Sequence, residues 1–157
     1  MVELGLATAE DISGIVALDR ATAEAPHWPE QEYREALGPG GLVRRGLLVA
    51  KLDGGLAGYA AVRVVGEDAE LESVVVAAAA QRRGVGRSMC WAAMRWAAGQ
   101  GAQTMHLEVR ASSAGAQGLY VALGFETVGH RARYYSSPVE DALLMTRTLC
   151  DWNEGDG

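Results

Sequence analysis

Gln81-Arg82-Arg83-Gly84-Val85-Gly86-Arg87 places three guanidinium groups around two glycines where a helix is due to begin. Glycines there let backbone N–H groups approach an anion closely, and a helix start adds partial positive charge. The chemistry this suits is phosphate binding. It is neither of the common phosphate loops: Met89 stands where a dinucleotide fingerprint needs its third glycine, and no Gly-Lys-Ser/Thr run occurs in the chain. Three arginines in seven residues suit a pyrophosphate with a further phosphate nearby, held by forked hydrogen bonds. An ordinary glycine-rich turn with solvated arginines is the plainer alternative.

Groups able to move protons come next. In Thr104-Met105-His106-Leu107-Glu108-Val109-Arg110, strand alternation puts Met105, Leu107 and Val109 on one face. His106, Glu108 and Arg110 share the other. A carboxylate ending a central strand costs too much to bury without a role or a partner. A Glu108–Arg110 pair at a sheet surface is the competing reading, and His106 reads as a packing or surface histidine. Tyr120 lies on the following helix beside Leu119 and Leu123, which carry the apolar stripe. Alone it reads as an interfacial tyrosine with a packed ring and a wet hydroxyl, as do Tyr134 and Tyr135; Trp28 reads as the same kind of interfacial aromatic. Cys90, set among apolar helix residues, reads as a small hydrophobe rather than an acyl-carrying nucleophile.

The elements that must position these groups alternate along the chain. Val2–Leu6 reads as a first strand. Thr8 is a candidate N-cap, with Glu10 and Asp11 in the first turn and Ile12, Ile15, Val16 and Asp19 at helical spacing behind it. Pro29 opens a short helix carrying Tyr33 and Leu37, which Gly38-Pro39-Gly40-Gly41 ends. Leu47–Leu52, a turn at Asp53-Gly54-Gly55 and Leu56–Val65 read as a hairpin. Leu71–Val76 is the next strand, followed by a helix from Gly84 to about Ala98. Then come the strand Thr104–Arg110 and a helix Ala114–Leu123, capped by Ser113 and ended by Gly124. Short strands at Phe125–Gly129 and Ala142–Thr148 close the order β-α-α-β-β-β-α-β-α-β-β.

Composition bounds the function. The chain has 157 residues, 49% of them hydrophobic, and a mean hydropathy of +0.01, as expected of one soluble globular domain. It reads as one domain over 1–150 with a frayed acidic tail at 151–157. No apolar run approaches the roughly 20 residues needed to cross a membrane, and the N-terminus lacks the pattern of a secretion signal. Cys90 and Cys150 fit neither a metal-ligand spacing nor a disulfide framework. A cytoplasmic protein without a metal is therefore expected. The net charge of −6 and pI near 5.0 argue against nucleic acid as the main partner. An acidic surface would attract a cationic substrate, although solubility explains it equally well.

Three spaced segments now combine: the strand leading into Gln81–Arg87, then Leu107-Glu108-Val109-Arg110-Ala111-Ser112, then Leu119-Tyr120-x-x-Leu123-Gly124-Phe125. Together they resemble the GCN5-related N-acetyltransferase (GNAT) superfamily over essentially the whole chain. Arg133-Tyr134-Tyr135 and Glu140-Asp141-Ala142 add a likeness to its RimI-type members, which acetylate the N-terminal alanine of a small-subunit ribosomal protein. The resemblance implies an α/β (α+β mixed) fold. This would be a single mixed, mostly antiparallel sheet of about seven strands flanked by about four helices, with a splay between the central strands.

It also implies roles. Gln81, Arg82, Arg83, Gly84, Val85 and Gly86, with Arg87 and Ser88, would bind the pyrophosphate of acetyl-CoA. Val74, Val75 and Val76 would pair with its pantetheine arm and offer N–H groups to the thioester carbonyl. Glu108 would be the general base, acting through water, and Tyr120 would protonate the departing thiolate; Glu72 is a second candidate base. Trp28, Tyr134 and Tyr135 would line the acceptor groove. Two departures stand out. Ser113 replaces an asparagine that contacts the cofactor, and Ala77-Ala78-Ala79-Ala80 replaces an Asp-Pro-containing turn with its aromatic residue.

The proton chemistry fits an α-amine. Near pH 7.4 roughly a quarter of an N-terminal amine is already neutral, against about a thousandth of a lysine side chain. One carboxylate can serve such a substrate. The expected function is direct acetyl transfer to the peptide N-terminus of a basic ribosomal protein, by a monomer or weak dimer. A polyamine or aminoglycoside acetyltransferase would instead need a wider acidic pocket. A non-catalytic acyl-CoA-binding module would require neither Glu108 nor Tyr120.

Overall fold

One seven-stranded sheet organises this computed structural model, which describes residues 2–136 and 138–149. Its strands are β1 (Val2–Leu6), β2 (Val43–Leu52), β3 (Gly55–Val65), β4 (Asp68–Val76), β5 (Thr104–Arg110), β6 (Glu126–Ser136) and β7 (Val139–Thr148). They lie in the order β1-β2-β3-β4-β5-β7-β6. Every neighbouring pair is antiparallel except β4–β5. Helices α1 (Ile12–Ala21) and α2 (Glu30–Glu35) cover one face; α3 (Val85–Gly99) and α4 (Ala114–Ala122) pack on the other.

Alternation along the strands divides the core. Leu47, Val49, Tyr59, Ala61 and Val75 point at Ile12 and Ile15 of α1 and Tyr33 of α2. Leu48, Val62, Val64, Leu71 and the Met105, Leu107, Val109 face of β5 point at Cys90, Ala93, Met94 and Ala97 of α3. The continuous apolar stretches of β2 and β3 are thus buried on both sides, the condition under which a strand loses its polar alternation.

The order of elements agrees with the sequence expectation, while several boundaries move. β4 starts at Asp68 rather than Leu71, because Gly66, in left-handed backbone at φ 60, turns the chain directly into a second hairpin. β6 and β7 are a long hairpin of 11 and 10 residues instead of two short strands. Thr8 starts a 3-10 turn at Ala9–Asp11 before α1, and its backbone N–H donates to Asp11 Oδ2 at 2.9 Å. Ser113 occupies the N-cap of α4 without a side-chain cap hydrogen bond, so its hydroxyl does not do the capping expected of it. The tail expected at 151–157, and Cys150, lie outside the described residues. No helix among the described residues is long and apolar enough to cross a membrane.

Candidate active site

The parallel pair β4–β5 stays in register over only Asp68↔Thr104, Ala69↔Met105 and Glu70↔His106. Beyond Glu70 the strands part, and a groove of about 730 Å³ opens between Leu71–Val76 on one side and Glu108, Val109 and Arg110 on the other. Its far end is closed by the start of α3 and by Leu119 and Tyr120 of α4. The splay implied by the resemblance is therefore present at the expected strands.

On the β4 wall, backbone direction decides what is free to bind. Ala77 N–H donates to Ala57 O at 2.8 Å, so alternation sends the polar groups of Val75 to β3 as well. Val74 and Val76 direct theirs into the splay. Only those two of the three valines can offer backbone hydrogen bonds there; the Val75 side chain fills the core under α1. Below them the β3–β4 register slips between Ala61 and Val62, leaving Glu72 as the extra, bulged residue. Glu72 Oε1 and Ser73 Oγ are buried without a hydrogen-bond partner among the described residues. Arg45 approaches Glu72 at 3.6 Å, yet burial, the largest influence, raises its carboxyl above the ordinary value.

The loop entering α3 is built by tight turns. Ala78–Ala80 form a 3-10 turn with Ala80 buried, so the alanine run gives an ordered corner without proline. Arg82 and Gly84 both take left-handed backbone, at φ 63 and 77. The first helical bond of α3 runs from Ser88 N–H to Gly84 O, which leaves the amides of Val85, Gly86 and Arg87 unspent. Gly86 lies between Val76 and Leu119, 3.6 Å from each for an added Cβ. Gln81, Arg82, Gly84, Val85, Gly86 and Arg87 line the groove, whereas Arg83 and Ser88 do not. Met89, at the position that excluded a dinucleotide loop, is fully buried and packs over Gly58 of β3.

Glu108 and Tyr120 face the same groove. Glu108 pairs with Arg131 of β6 at 3.4 Å and not with Arg110, which bonds Glu140 at 3.1 Å and stacks on Tyr135. Tyr134 also reaches Glu108: a hydrogen bond to that carboxylate, ahead of burial, raises its hydroxyl above the ordinary value. Tyr120 packs edge-on against Phe125, and its phenol is pushed up by burial first and by Cys90 and Tyr135 after it. Burial pushes the Cys90 thiol up to about 12, which leaves it an inert packing group.

The remaining predicted residues divide. Tyr135 and Ser113 line the groove. Trp28 does not: it packs on Tyr33 and under the Arg45 guanidinium, 5.0 Å from its ring, and so steadies the cation that faces Glu72. Thr22, Glu24, Ala25 and Pro26, from the α1–α2 connection, border the groove without any sequence signal to mark them.

Residues 15–125 match the model of the Acetyltransferase (GNAT) family. This chain belongs to the GNAT acetyltransferase family. The [ribosomal protein bS18]-alanine N-acetyltransferase of Escherichia coli K12 is 37% identical over 95 residues, 59% of this chain and 64% of that protein. A Bacillus subtilis relative carrying the same name provisionally is 30% identical over 141 residues, 89% of this chain and 91% of its own. The crystal structure of the E. coli ribosomal-protein-S18-alanine N-acetyltransferase superposes with a TM-score of 0.82 at 27% identity, covering 98% and 97% of the two chains. The seven-stranded splayed sheet is the GNAT fold.

What sequence reading missed in this GNAT site is Arg131 and the β6 bulge that aims it, whereas Tyr134 and Tyr135 of the same strand were expected at the acceptor groove. Register is lost between Arg131 and Tyr135, and Arg133 adopts φ 55. Asp141 of β7 pins this bulge, accepting from Arg133 N–H at 2.9 Å and pairing with His130 Nε2 at 2.8 Å. The bulge turns Arg131 and Tyr134 toward Glu108. A positive φ at an arginine leaves no trace in residue types; the Glu140-Asp141 pair beside a tyrosine pair was its only legible signal.

Proposed function

We propose that this GNAT enzyme moves the acetyl group of acetyl-CoA to the N-terminal amine of a protein, with ribosomal protein bS18 and its alanine as the acceptor. The observation that carries the reading is that Glu108 and Tyr120 meet in one groove walled by the free edge of β4 and the amide-rich start of α3. The residues fit acetyl-CoA. Unspent amides at Val85, Gly86 and Arg87, with Arg82 and Arg87 beside them, suit pyrophosphate. The edge groups of Val74 and Val76 suit an amide-bearing arm, and the orphaned Ser73 Oγ awaits a polar partner.

Bound acetyl-CoA supplies a thioester acetyl group. Glu108, 22% exposed, accepts the proton that the acceptor amine gives up, directly or through water. Tyr120 delivers its proton to the leaving sulfur. Its raised phenol stays protonated at neutral pH, and a thiolate in the same apolar groove also gains proton affinity, so donor and acceptor remain matched. The amine loses one proton, the sulfur gains one, and both side chains are reset by exchange with solvent.

The test is CoA release with an alanine-starting basic peptide, an N-terminally blocked lysine peptide and spermidine. We expect kcat/KM for the first to exceed the others by at least about tenfold, since α-amines are neutral far more often. Tight acetyl-CoA binding with no turnover of any acceptor would overturn the enzymatic reading. A preference for spermidine would overturn the protein acceptor.

A further inference from the structure

Glu108 also lines a second cavity, of about 390 Å³, on the side of the sheet that α1 and α2 leave open. Its walls include Arg63, Val65, Glu70, His106, Val128 and Leu144. We propose that this pocket holds the second to fourth residues of the acceptor chain and favours an apolar side chain there. The inference rests on the acetyltransferase reading above.

Continuity and length argue for that occupant. An acceptor whose amine reaches Glu108 must lead the rest of its chain away, and the pocket begins at the same carboxylate. It extends along β5 and β4 to Asp68, which pairs with Thr104. Four residues of strand, Glu108 back to Thr104, span about 13 Å. An extended acceptor advances about 3.3–3.6 Å per residue, so four residues counted from the amine cover that distance, which sets the second to fourth along the pocket.

The walls suit a peptide. Val65, at the end of β3, is 42% exposed, and Val128 is 61% exposed. The β6–β7 register slips between Thr127 and Gly129, which makes Val128 the unpaired residue of a bulge. Lone exposed valines are ordinary, but here two of them and Leu144 enclose one cavity that joins the catalytic groove. Between them Arg63 and Glu70 are register partners across β3–β4, and neither forms an ion pair among the described residues. They leave a donor and an acceptor for the backbone of an extended chain.

The test compares alanine amide, alanine followed by three glycines, and the same peptide with leucine at its second, third or fourth position. Leucine at one position should lower KM about tenfold or more relative to glycine, the return expected from burying that side chain, with kcat changed less than about twofold. Val65→Asp with Val128→Asp, both at exposed positions, should erase the gain while alanine amide turns over as before. A KM indifferent to leucine, or a gain that survives the two aspartates, would overturn the subsite. Failure of every alanine acceptor, the amide included, would overturn the N-terminal acceptor reading and the subsite with it.

Discussion

Arg131 Nη1 lies 3.4 Å from Glu108 Oε1, so the proposed base already faces a cation carried by β6. Arg131 is 55% exposed and stacks on Tyr134, 5.3 Å from its ring. Such a partner is held weakly enough to yield to an acceptor's ammonium. Glu108→Gln should lower kcat by about 10²–10⁴ while acetyl-CoA affinity holds. Arg131→Ala should act oppositely on the acceptor, lowering its KM about two- to fivefold as the competitor is removed. Steady-state kinetics on both variants check this; an increased acceptor KM in Arg131→Ala would show that the guanidinium holds the substrate instead.

Tyr120→Phe keeps the ring against Phe125 and removes only the proton donor. The expected result is a loss in kcat of about 10²-fold, with KM for both substrates nearly unchanged. Because burial raises the Tyr120 hydroxyl, activity should show no alkaline loss from it near pH 9, where an unperturbed phenol begins to ionise. A wild-type pH–rate profile falling there, with the fall abolished in Tyr120→Phe, would contradict the burial argument.

The legible and illegible parts of this site differ in physical kind. β5 was read to the residue because a half-buried strand must alternate, and Glu108 falls on the polar face for that reason alone. The loop at Gln81–Arg87 was legible because glycine has few uses besides positive φ and close approach. The bulges were not legible. Glu72 and Val128 are displaced by register slips, which depend on pairing with a distant strand and not on residue type. Asp19 looked like a polar residue on an apolar stripe; only the packing of α2 and β3 shows why it is buried.

Glu72 links pH to stability. Burial raises its folded carboxyl above the ordinary 4.5, so the folded state binds that proton more tightly than the unfolded chain does. Its favourable contribution is complete below the ordinary value and is lost as pH rises through the raised one. At pH 7 the ionised group therefore burdens the fold. Removing one imperfectly compensated buried charge, Glu72→Gln should stabilise by about 1 kcal/mol, or roughly 2–4 °C in Tm, at neutral pH. The difference should shrink toward zero below about pH 4. Arg45 keeps Glu32 as a partner at 3.7 Å, so the variant does not strand it. Thermal melts at pH 4 and 7 decide the matter, and equal melting temperatures at pH 7 would mean that Arg45 already cancels the burial cost.

Asp19 is fully buried and joins three elements. It accepts from the Tyr33 hydroxyl of α2, from Arg20 Nη1 at 2.6 Å and, more distantly, from the Tyr59 hydroxyl of β3 at 3.4 Å. The two tyrosine hydroxyls touch each other at 2.7 Å, and Arg20 also donates to Trp28 O at 2.8 Å. The cluster thereby fixes the α1–α2 connection that borders the groove. Tyr33→Phe leaves a buried carboxylate short of its best donor and should cost about 1–3 kcal/mol in urea unfolding. Tyr59→Phe, whose bond to Asp19 is longer, should cost less. Since both hydroxyls serve one carboxylate and each other, the double variant should lose less than the sum of the two single losses, by about 0.5 kcal/mol or more. Strict additivity would mean that the tyrosines stabilise α2 and β3 separately, through packing, with Asp19 as a bystander.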